Sequence, residues 1–221
     1  MILNISWIDA GLAAVILTIL VKVVLYPLSK KAVVTQAKMK EKEGELAAIK
    51  EKYKNKQEQA AKIMEFYKTN KINPFSSILT ILIQIPVIFS LYFIFFKSGL
   101  PTVDTSLLYS FIKIPESVSM VFLGFIDVSQ KSIVLALLAA VTSYWQMHLA
   151  TPNIKGSTSL MSDKPDFAKM MGKQMKYTMP FIVFFISWKI SAIIALYWFV
   201  SNLMTIIQES YIRKQITKGN L

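Results

Sequence analysis

Long apolar runs alternate with short, strongly basic segments along the whole chain. The apolar runs cover residues 7–28, 75–96, 132–150, 170–188 and 190–208, and none of them contains more than two charged side chains. A helix needs about 20 mostly apolar residues, at about 1.5 Å each, to cross the hydrocarbon core of a bilayer. The pattern therefore predicts an all-α integral membrane protein with five transmembrane helices.

The segments between these runs complete the predicted secondary structure. Residues 29–73 are rich in Lys, Glu, Gln and Ala, with apolar residues at helical spacing and an interruption at Lys54-Asn55-Lys56, so we predict a helical hairpin. The alternative for this segment is a solvated linker. Residues 104–126 are unusually apolar for a loop and contain Pro115, which favours a helix lying in the membrane interface.

The predicted organisation has eight consecutive parts. They are an N-terminal segment with the first transmembrane helix (1–28), a cytosolic helical hairpin (29–73), the second transmembrane helix (74–97), an extracytoplasmic loop with an interfacial helix (98–130), the third transmembrane helix (131–150), a cytosolic loop (151–169), the fourth and fifth transmembrane helices (170–208) and a cytosolic tail (209–221). A very short turn at Trp188 and Lys189 joins the last two helices.

The basic residues predict how these helices are oriented. Residues 29–73 hold twelve lysines, residues 151–177 hold five and the tail holds three basic residues, whereas the loop 98–130 has Lys113 alone. Cytosolic loops carry the excess of Lys and Arg, so the N-terminus is expected outside and the C-terminus in the cytosol. The net charge of +12 is then a consequence of topology, and we expect no specific nucleic-acid binding.

Composition excludes several classes of protein. Hydrophobic residues make up 54% of the chain and the mean hydropathy is +0.47, which is too apolar for an ordinary soluble surface. The chain has no cysteine and a single histidine, His148, so thiolate and imidazole metal sites are excluded. It also lacks nucleotide-binding and nucleophile motifs. We therefore expect no cofactor, no metal and no chemical catalysis.

Lys22 is the most informative single residue because it is a charge inside an apolar run. Such a charge costs about 2.5 to 3.5 kcal/mol on insertion scales, so it usually faces a hydrated cavity or a partner. Thr18, Lys22, Tyr26 and Ser29 share one helical face. The alternative is that Lys22 extends along the helix to the headgroups.

Polar side chains also form stripes on the second, third and fifth predicted spans. Each stripe alone could join two helices, but no span offers a carboxylate to pair with Lys22. A hydrated, positively charged groove open to the cytosol would accommodate all of the stripes and attract an acidic segment of another polypeptide. The predicted groove residues are Thr18, Lys22, Gln84, Gln146, Tyr197 and Ser201.

At these positions the chain resembles the YidC/Oxa/Alb family of membrane protein insertases over nearly its whole length. The matching motifs are Lys22 with Tyr26-Pro27-Leu28, Lys52-Tyr53-Lys54, Phe66-Tyr67-Lys68, Asn73-Pro74, Gln84-Ile85-Pro86, Leu91-Tyr92, Asp127, Leu196-Tyr197-Trp198, Ser201-Asn202 and Gln208. Two features depart from the family pattern. Lys22 stands where the family usually has arginine, and Ser77-Ile78-Leu79-Thr80 stands where it has Gly-Cys-Leu-Pro.

The resemblance implies an insertase and chaperone that inserts and helps to fold membrane proteins in the bacterial plasma (inner) membrane, in a minimal bacterial form. The implied partners are nascent membrane proteins, the ribosome, the Sec translocon and the lipid bilayer. We expect substrate helices to leave the groove along an apolar slide formed by Ile85, Phe89, Phe181 and Phe185. The alternative function is a small solute or ion channel or transporter, which would need polar stripes through the full membrane thickness.

Overall fold

The structure is a computed structural model. It describes residues 9–73, 118–150 and 165–219 together with Phe89 and Phe93, and for residues 150 and 165–176 it describes the backbone alone. The predicted second transmembrane helix therefore lies outside the described residues, apart from those two phenylalanines. The same holds for most of the two loops 98–130 and 151–169.

The described residues form seven helices and one short β-hairpin. In chain order these are α1 (Ala10–Val24), α2 (Tyr26–Glu41), α3 (Glu43–Lys52), α4 (Lys56–Thr69), β1 (Val121–Phe122), β2 (Ile126–Asp127), α5 (Ile133–Ala150), α6 (Pro165–Lys189) and α7 (Ala192–Thr217). The prediction of an all-α protein is thus confirmed for this part of the chain, with the two-residue strands as the exception.

Only some of these helices are long and apolar enough to cross a membrane. Helix α7 is long and apolar enough by itself, and α1 with α2 would make a second span if the bent pair is counted as one. Helix α5 is apolar but shorter, and α6 contains Pro180. The number of five transmembrane helices and their orientation therefore stay predictions.

The first apolar run bends where α1 meets α2. Helix α1 ends at Val24, and α2 leaves it at an angle of 58° after Leu25. Pro27 lies in the first turn of α2, a position that a residue without an N–H group occupies at little cost. The N–H groups of Leu28 and Ser29 donate to the carbonyl of Leu25, so a new helix begins there.

Helices α1 and α5 both pack against α7 and form a bundle in which all three helices run in the same direction. Near its outer end, as the predicted orientation has it, Ala10 and Ala14 of α1 pack with Leu135 of α5 and the first residues of α7. Towards the other end, Lys22 contacts Thr205. Small residues allow the helices to approach closely, which is typical of helix packing in membranes. Helix α6 packs on α5 and returns to α7 through a turn at Ile190 and Ser191.

A β-hairpin covers the outer end of this bundle. Val121 pairs with Asp127 and Phe122 with Ile126, and the turn between them places Leu123 and Gly124 at positive φ. Residues 118–126, which the sequence predicts as part of an interfacial helix over 104–126, thus form an irregular segment, strands and a tight turn instead. Residues 104–117 lie outside the described residues, so an interfacial helix there stays a prediction.

Specific hydrogen bonds hold this hairpin to α1. The N–H of Ala10 donates to the carbonyl of Ser119 at 2.9 Å, and the N–H of Leu123 donates to the Asp9 carboxylate at 3.0 Å. The other carboxylate oxygen of Asp9 accepts from the N–H of Leu12 and so caps α1. Directly after β2, the Asp127 carboxylate accepts hydrogen bonds from the hydroxyl and the N–H of Ser129, and these bonds lower the pKa of Asp127.

Helices α3 and α4 form a hairpin with a small core of its own. The turn between them includes Asn55, whose side chain caps α4, and Gln59 donates to the carbonyls of Lys50 and Tyr53 across the turn. The core consists of Leu46, Ile63, Phe66, Tyr67 and Ile72. Burial raises the pKa of the Tyr67 phenol, so this residue stays neutral over a wide pH range.

Candidate functional site around Lys22

The ammonium group of Lys22 is held by a neutral partner on another helix. Its Nζ donates a hydrogen bond of 3.0 Å to Thr205 Oγ1, and the Thr205 hydroxyl donates in turn to the carbonyl of Ser201 at 2.9 Å. Within the described ranges, no carboxylate lies within salt-bridge distance of Lys22. The charge of Lys22 is therefore hydrogen-bonded but not neutralised by these residues.

The backbone of Lys22 is held by the same face of α7. Lys22 lies in the last turn of α1, where a helix leaves carbonyl groups without helical partners. The side-chain amide of Gln208 donates to the Lys22 carbonyl at 2.9 Å. Thr205 and Gln208 are three residues apart and so share one face of α7. The ammonium group and the backbone carbonyl of Lys22 are thus both positioned by neighbouring side chains of α7.

Three of the predicted groove residues are buried. Thr18, Tyr197 and Ser201 expose 3%, 3% and 2% of their surface, and the Thr18 hydroxyl donates to the carbonyl of Ala14 in its own helix. Lys22 and Gln146 are half-buried, and Gln84 lies outside the described residues. The structure thus brings Lys22 together with α7, and the polar residues deeper along α1 and α7 are packed between helices.

Asn202 joins α7 to α5. Its side-chain amide donates to the carbonyl of Ala139 at 3.2 Å and to Thr142 Oγ1 at 3.3 Å, and Thr142 donates to the carbonyl of Leu138. The polar stripe of the third predicted span therefore includes a residue that joins two helices, which is the alternative interpretation of such stripes.

A partly buried ion pair directly follows Gln208 on α7. Glu209 is 4% exposed and accepts hydrogen bonds from Nε and Nη2 of Arg213, while Nη2 also donates to the carbonyl of Leu149 at 3.0 Å. Leu149 lies in the last turn of α5, so Arg213 caps that helix. Sequence analysis missed this group, although the spacing of Glu and Arg four residues apart is a recognisable signal.

The three residues of the predicted slide that the structure describes are exposed. Phe181 is 67% exposed and Phe185 is 51% exposed, and both lie on α6. Phe89 is 57% exposed, and Ile85 lies outside the described residues. The described phenylalanines are thus on the surface, where lipid would cover them in a membrane.

Potential metal ligands are not clustered in the described segments. They contain no group of three or more His, Asp or Glu side chains that could hold a metal ion. The polar groups around Lys22 are instead an ammonium, a hydroxyl and a carboxamide. Such a set can bind an acidic or polar polypeptide segment, but it offers no nucleophile paired with a base.

Apolar helices joined through buried polar side chains define the class of helical membrane-protein bundles. Comparison with known proteins gives the family. The chain matches the family described as 60Kd inner membrane protein over residues 2–219 and belongs to it. This membership confirms the predicted resemblance and the predicted location in the bacterial inner membrane, and it confirms that the protein is not an enzyme in the chemical sense.

Similar proteins carry the name membrane protein insertase YidC. The one from Clostridium perfringens is 32% identical over 213 residues, which are 95% of this chain and 82% of the relative. The one from Fusobacterium nucleatum is 32% identical over 93% of this chain and 86% of the relative. The one from Geobacter metallireducens is 31% identical over 93% of this chain, which spans only 34% of that longer protein.

Proposed function

We propose that the protein is a membrane protein insertase that receives the hydrophilic end of a substrate helix near Lys22. The observation that carries this proposal is the Lys22 ammonium, which contacts the Thr205 hydroxyl and has no carboxylate within salt-bridge distance among the described residues. The relatives named as insertases support the same function.

An unpaired cation inside a membrane bundle attracts negative charge strongly. Coulomb attraction between two unit charges 4 Å apart grows from about 1 kcal/mol in water to about 4 kcal/mol at the effective dielectric constant near a protein surface. An acidic residue that passes Lys22 would therefore gain free energy that a neutral residue does not. Because Thr205 and Gln208 fix Lys22 from one side, the attraction acts at a defined depth along α7.

The hydrated groove around Lys22 forms part of this proposal. Gln146 and Lys22 are half-buried, and Gln84 of the predicted second span is expected to complete the opposite wall. Thr18, Tyr197 and Ser201 would then close the end of the groove that lies deepest in the membrane, because their burial leaves little room for water there. A groove of this kind shortens the apolar path that a hydrophilic substrate end must cross.

The exposed aromatic face of α6 would serve as the way out into lipid. Phe181 and Phe185 are four residues apart and both exposed, so they lie on one face of the helix. A substrate helix of about 20 apolar residues gains enough free energy by entering lipid to need no nucleotide. The slide and the cation together describe insertion as a physical transfer rather than a reaction.

The alternative function, a channel or transporter, is not favoured by the relatives or by the packing of the outer end. There the first residues of α7 are buried with Ala10, Val118 and Val128. Apolar side chains close this end of the described bundle. A continuous polar path through the membrane would require these packed small and apolar residues to separate.

Membrane proteins are the substrates that the family implies. We further propose the ribosome and the Sec translocon as partners, and the hairpin of α3 and α4 as the surface that contacts them. The hairpin has its own apolar core and exposes basic side chains, among them Lys52, Lys54 and Lys68. Exposed lysines on a small stable unit suit contacts with anionic partners.

The test is insertion of a single-span substrate with an acidic translocated end in a bacterium depleted of its own insertase. Lys22→Ala should lower insertion at least tenfold, whereas Lys22→Arg should keep it within about twofold, since the charge is retained. Lys131→Ala, which removes an exposed lysine elsewhere in the chain, is the matched control and should have no effect.

Charge reversal makes the test specific for attraction. Lys22→Glu should block the acidic substrate but accept a substrate whose acidic residues are replaced by lysine. If Lys22→Ala inserts acidic and neutral substrates equally well, Lys22 only extends to the headgroups and the proposed mechanism is wrong.

A further inference from the structure

A cavity of about 490 Å³ lies between α2 and the last two turns of α7. It is separate from the surroundings of Lys22, since its α7 residues begin at Arg213, five positions beyond Gln208. By the predicted orientation this cavity lies on the cytosolic side, just past the end of the fifth apolar run. That depth corresponds to the headgroup region of the inner leaflet.

The lining of the cavity combines apolar and basic side chains. Val34, Ala37 and Ile216 supply apolar surface, and all three are half-buried. Lys38, Lys40 and Arg213 bring three positive charges, while Glu41 also lines the cavity and Glu209 pairs with Arg213, so basic charge exceeds acidic charge by one. Apolar surface beside basic side chains complements an amphiphile that carries a negative headgroup.

Arg213 gives this site a fixed donor. Its Nε and Nη2 groups are occupied by Glu209 and by the carbonyl of Leu149, which hold the guanidinium plane in place. Among the described residues no hydrogen bond engages Nη1. The chain uses lysine at 24 of its 25 basic positions and arginine only here. A planar fork can bind a carboxylate on one edge and a phosphate on another, which an ammonium group cannot do with the same geometry.

We propose that this cavity binds the headgroup of an anionic phospholipid of the inner leaflet, with the phosphate at Arg213, Lys38 and Lys40 and the upper acyl chain against Val34 and Ala37. The bound lipid would connect α2, the start of the cytosolic hairpin, to the end of α7. An acidic polypeptide segment is the other ligand that the charges could attract, but the apolar side chains of Val34 and Ala37 in the lining favour a lipid.

The experiment counts phospholipids retained by the purified full-length protein in native mass spectrometry, after exchange into micelles that contain equal amounts of phosphatidylglycerol and phosphatidylcholine. The wild type should retain phosphatidylglycerol selectively. The double variant Lys38→Gln, Lys40→Gln should reduce that retention about fivefold or more, the change expected for basic residues near an anionic surface. The double variant Lys54→Gln, Lys68→Gln removes the same charge from exposed positions of the hairpin and should not change it.

A second variant tests the cavity rather than the charge. Ala37→Phe would occupy the apolar part of the cavity while all basic residues remain, and it should reduce the retention of phosphatidylglycerol by a similar factor. Equal loss in the Lys54 and Lys68 control, or retention without preference for phosphatidylglycerol, would overturn the proposal. A photoreactive amino acid at Val34 that forms adducts with polypeptide and none with lipid would overturn it as well, in favour of the acidic segment.

Discussion

The side chain of Gln208 donates a hydrogen bond of 2.9 Å to the backbone carbonyl of Lys22, at the point where the first apolar run bends. Three residues earlier on α7, the Thr205 hydroxyl accepts a hydrogen bond from the ammonium group of the same lysine. One face of α7 thus contacts both the cation and the backbone just before the bend after Val24. The contacts join residues 183 and 186 positions apart in the chain.

Gln208→Leu should therefore destabilise the bundle and displace Lys22. The variant loses a buried hydrogen bond to a helix end, and side-chain hydrogen bonds in membrane proteins contribute about 0.6 kcal/mol and at most about 1.7 kcal/mol. We expect a decrease of about 1 kcal/mol in the free energy of unfolding, measured by denaturation in detergent. Gln57→Leu, the same change at an exposed position of α4, is the control. Equal stability of both variants would show that the Gln208 contact is incidental.

Gly11 should tolerate no larger residue. An ideal Cβ atom at Gly11 would lie 2.5 Å from a ring carbon of Phe122, whereas one at Gly44 would meet nothing within 4 Å. Gly11→Ala should cost about 1 to 3 kcal/mol through overpacking, and Gly44→Ala should be neutral or stabilise α3 by up to about 1 kcal/mol. Denaturation of both variants in detergent measures the difference.

A double variant checks that Phe122 is the cause. Combining Gly11→Ala with Phe122→Gly should cost less than the sum of the two single changes, because the Cβ and ring atoms of Phe122 that lie 2.5 to 2.7 Å from the added methyl group are then absent. Strictly additive costs would mean that Gly11 matters for a reason other than the β-hairpin.

Asp9 should act both as a helix cap and as the attachment of the outer β-hairpin. Asp9→Ser can keep the cap on Leu12 but is too short to reach the N–H of Leu123 at the same time, while Asp9→Ala loses both contacts. We expect Asp9→Ala to cost about 1 to 2 kcal/mol and Asp9→Ser about half as much. Hydrogen exchange of the Leu123 amide should rise in both variants, and unchanged protection in Asp9→Ser would show that the bridge is not needed.

Removal of residues 43–69 should leave the bundle folded but weaken insertion. These residues comprise α3 and α4, which pack mainly on each other, so their joint removal takes away both sides of most of the small core around Phe66. We expect limited proteolysis in membranes to give the same resistant fragments of the bundle, with insertion of a ribosome-delivered substrate reduced severalfold. Loss of the resistant fragments would assign the hairpin a structural role and contradict the proposed contact with partners.

Several features of the protein follow from its sequence by itself. The apolar runs, the two-helix hairpin with its turn near Asn55 and the family resemblance depend on local composition and spacing, which neighbouring residues carry without help from the fold. The sequence also singles out Lys22 as a candidate site residue, because a charge within an apolar run is expensive wherever the helix packs. The sequence likewise places Thr205 and Gln208 on one helical face.

Only the tertiary structure decided which polar groups meet. Thr18, Tyr197 and Ser201 look like groove residues in sequence, but their burial depends on how closely α1 and α7 approach. The partner of Asn202, the contact of Arg213 with the Leu149 carbonyl and the β-hairpin over residues 121–127 are equally invisible to local patterns. A polar side chain is satisfied by whichever group the packing brings within about 3 Å. For Lys22, Asn202, Gln208 and Arg213 such groups come from helices more than fifty residues away in the chain, and their meeting is therefore a property of the folded bundle.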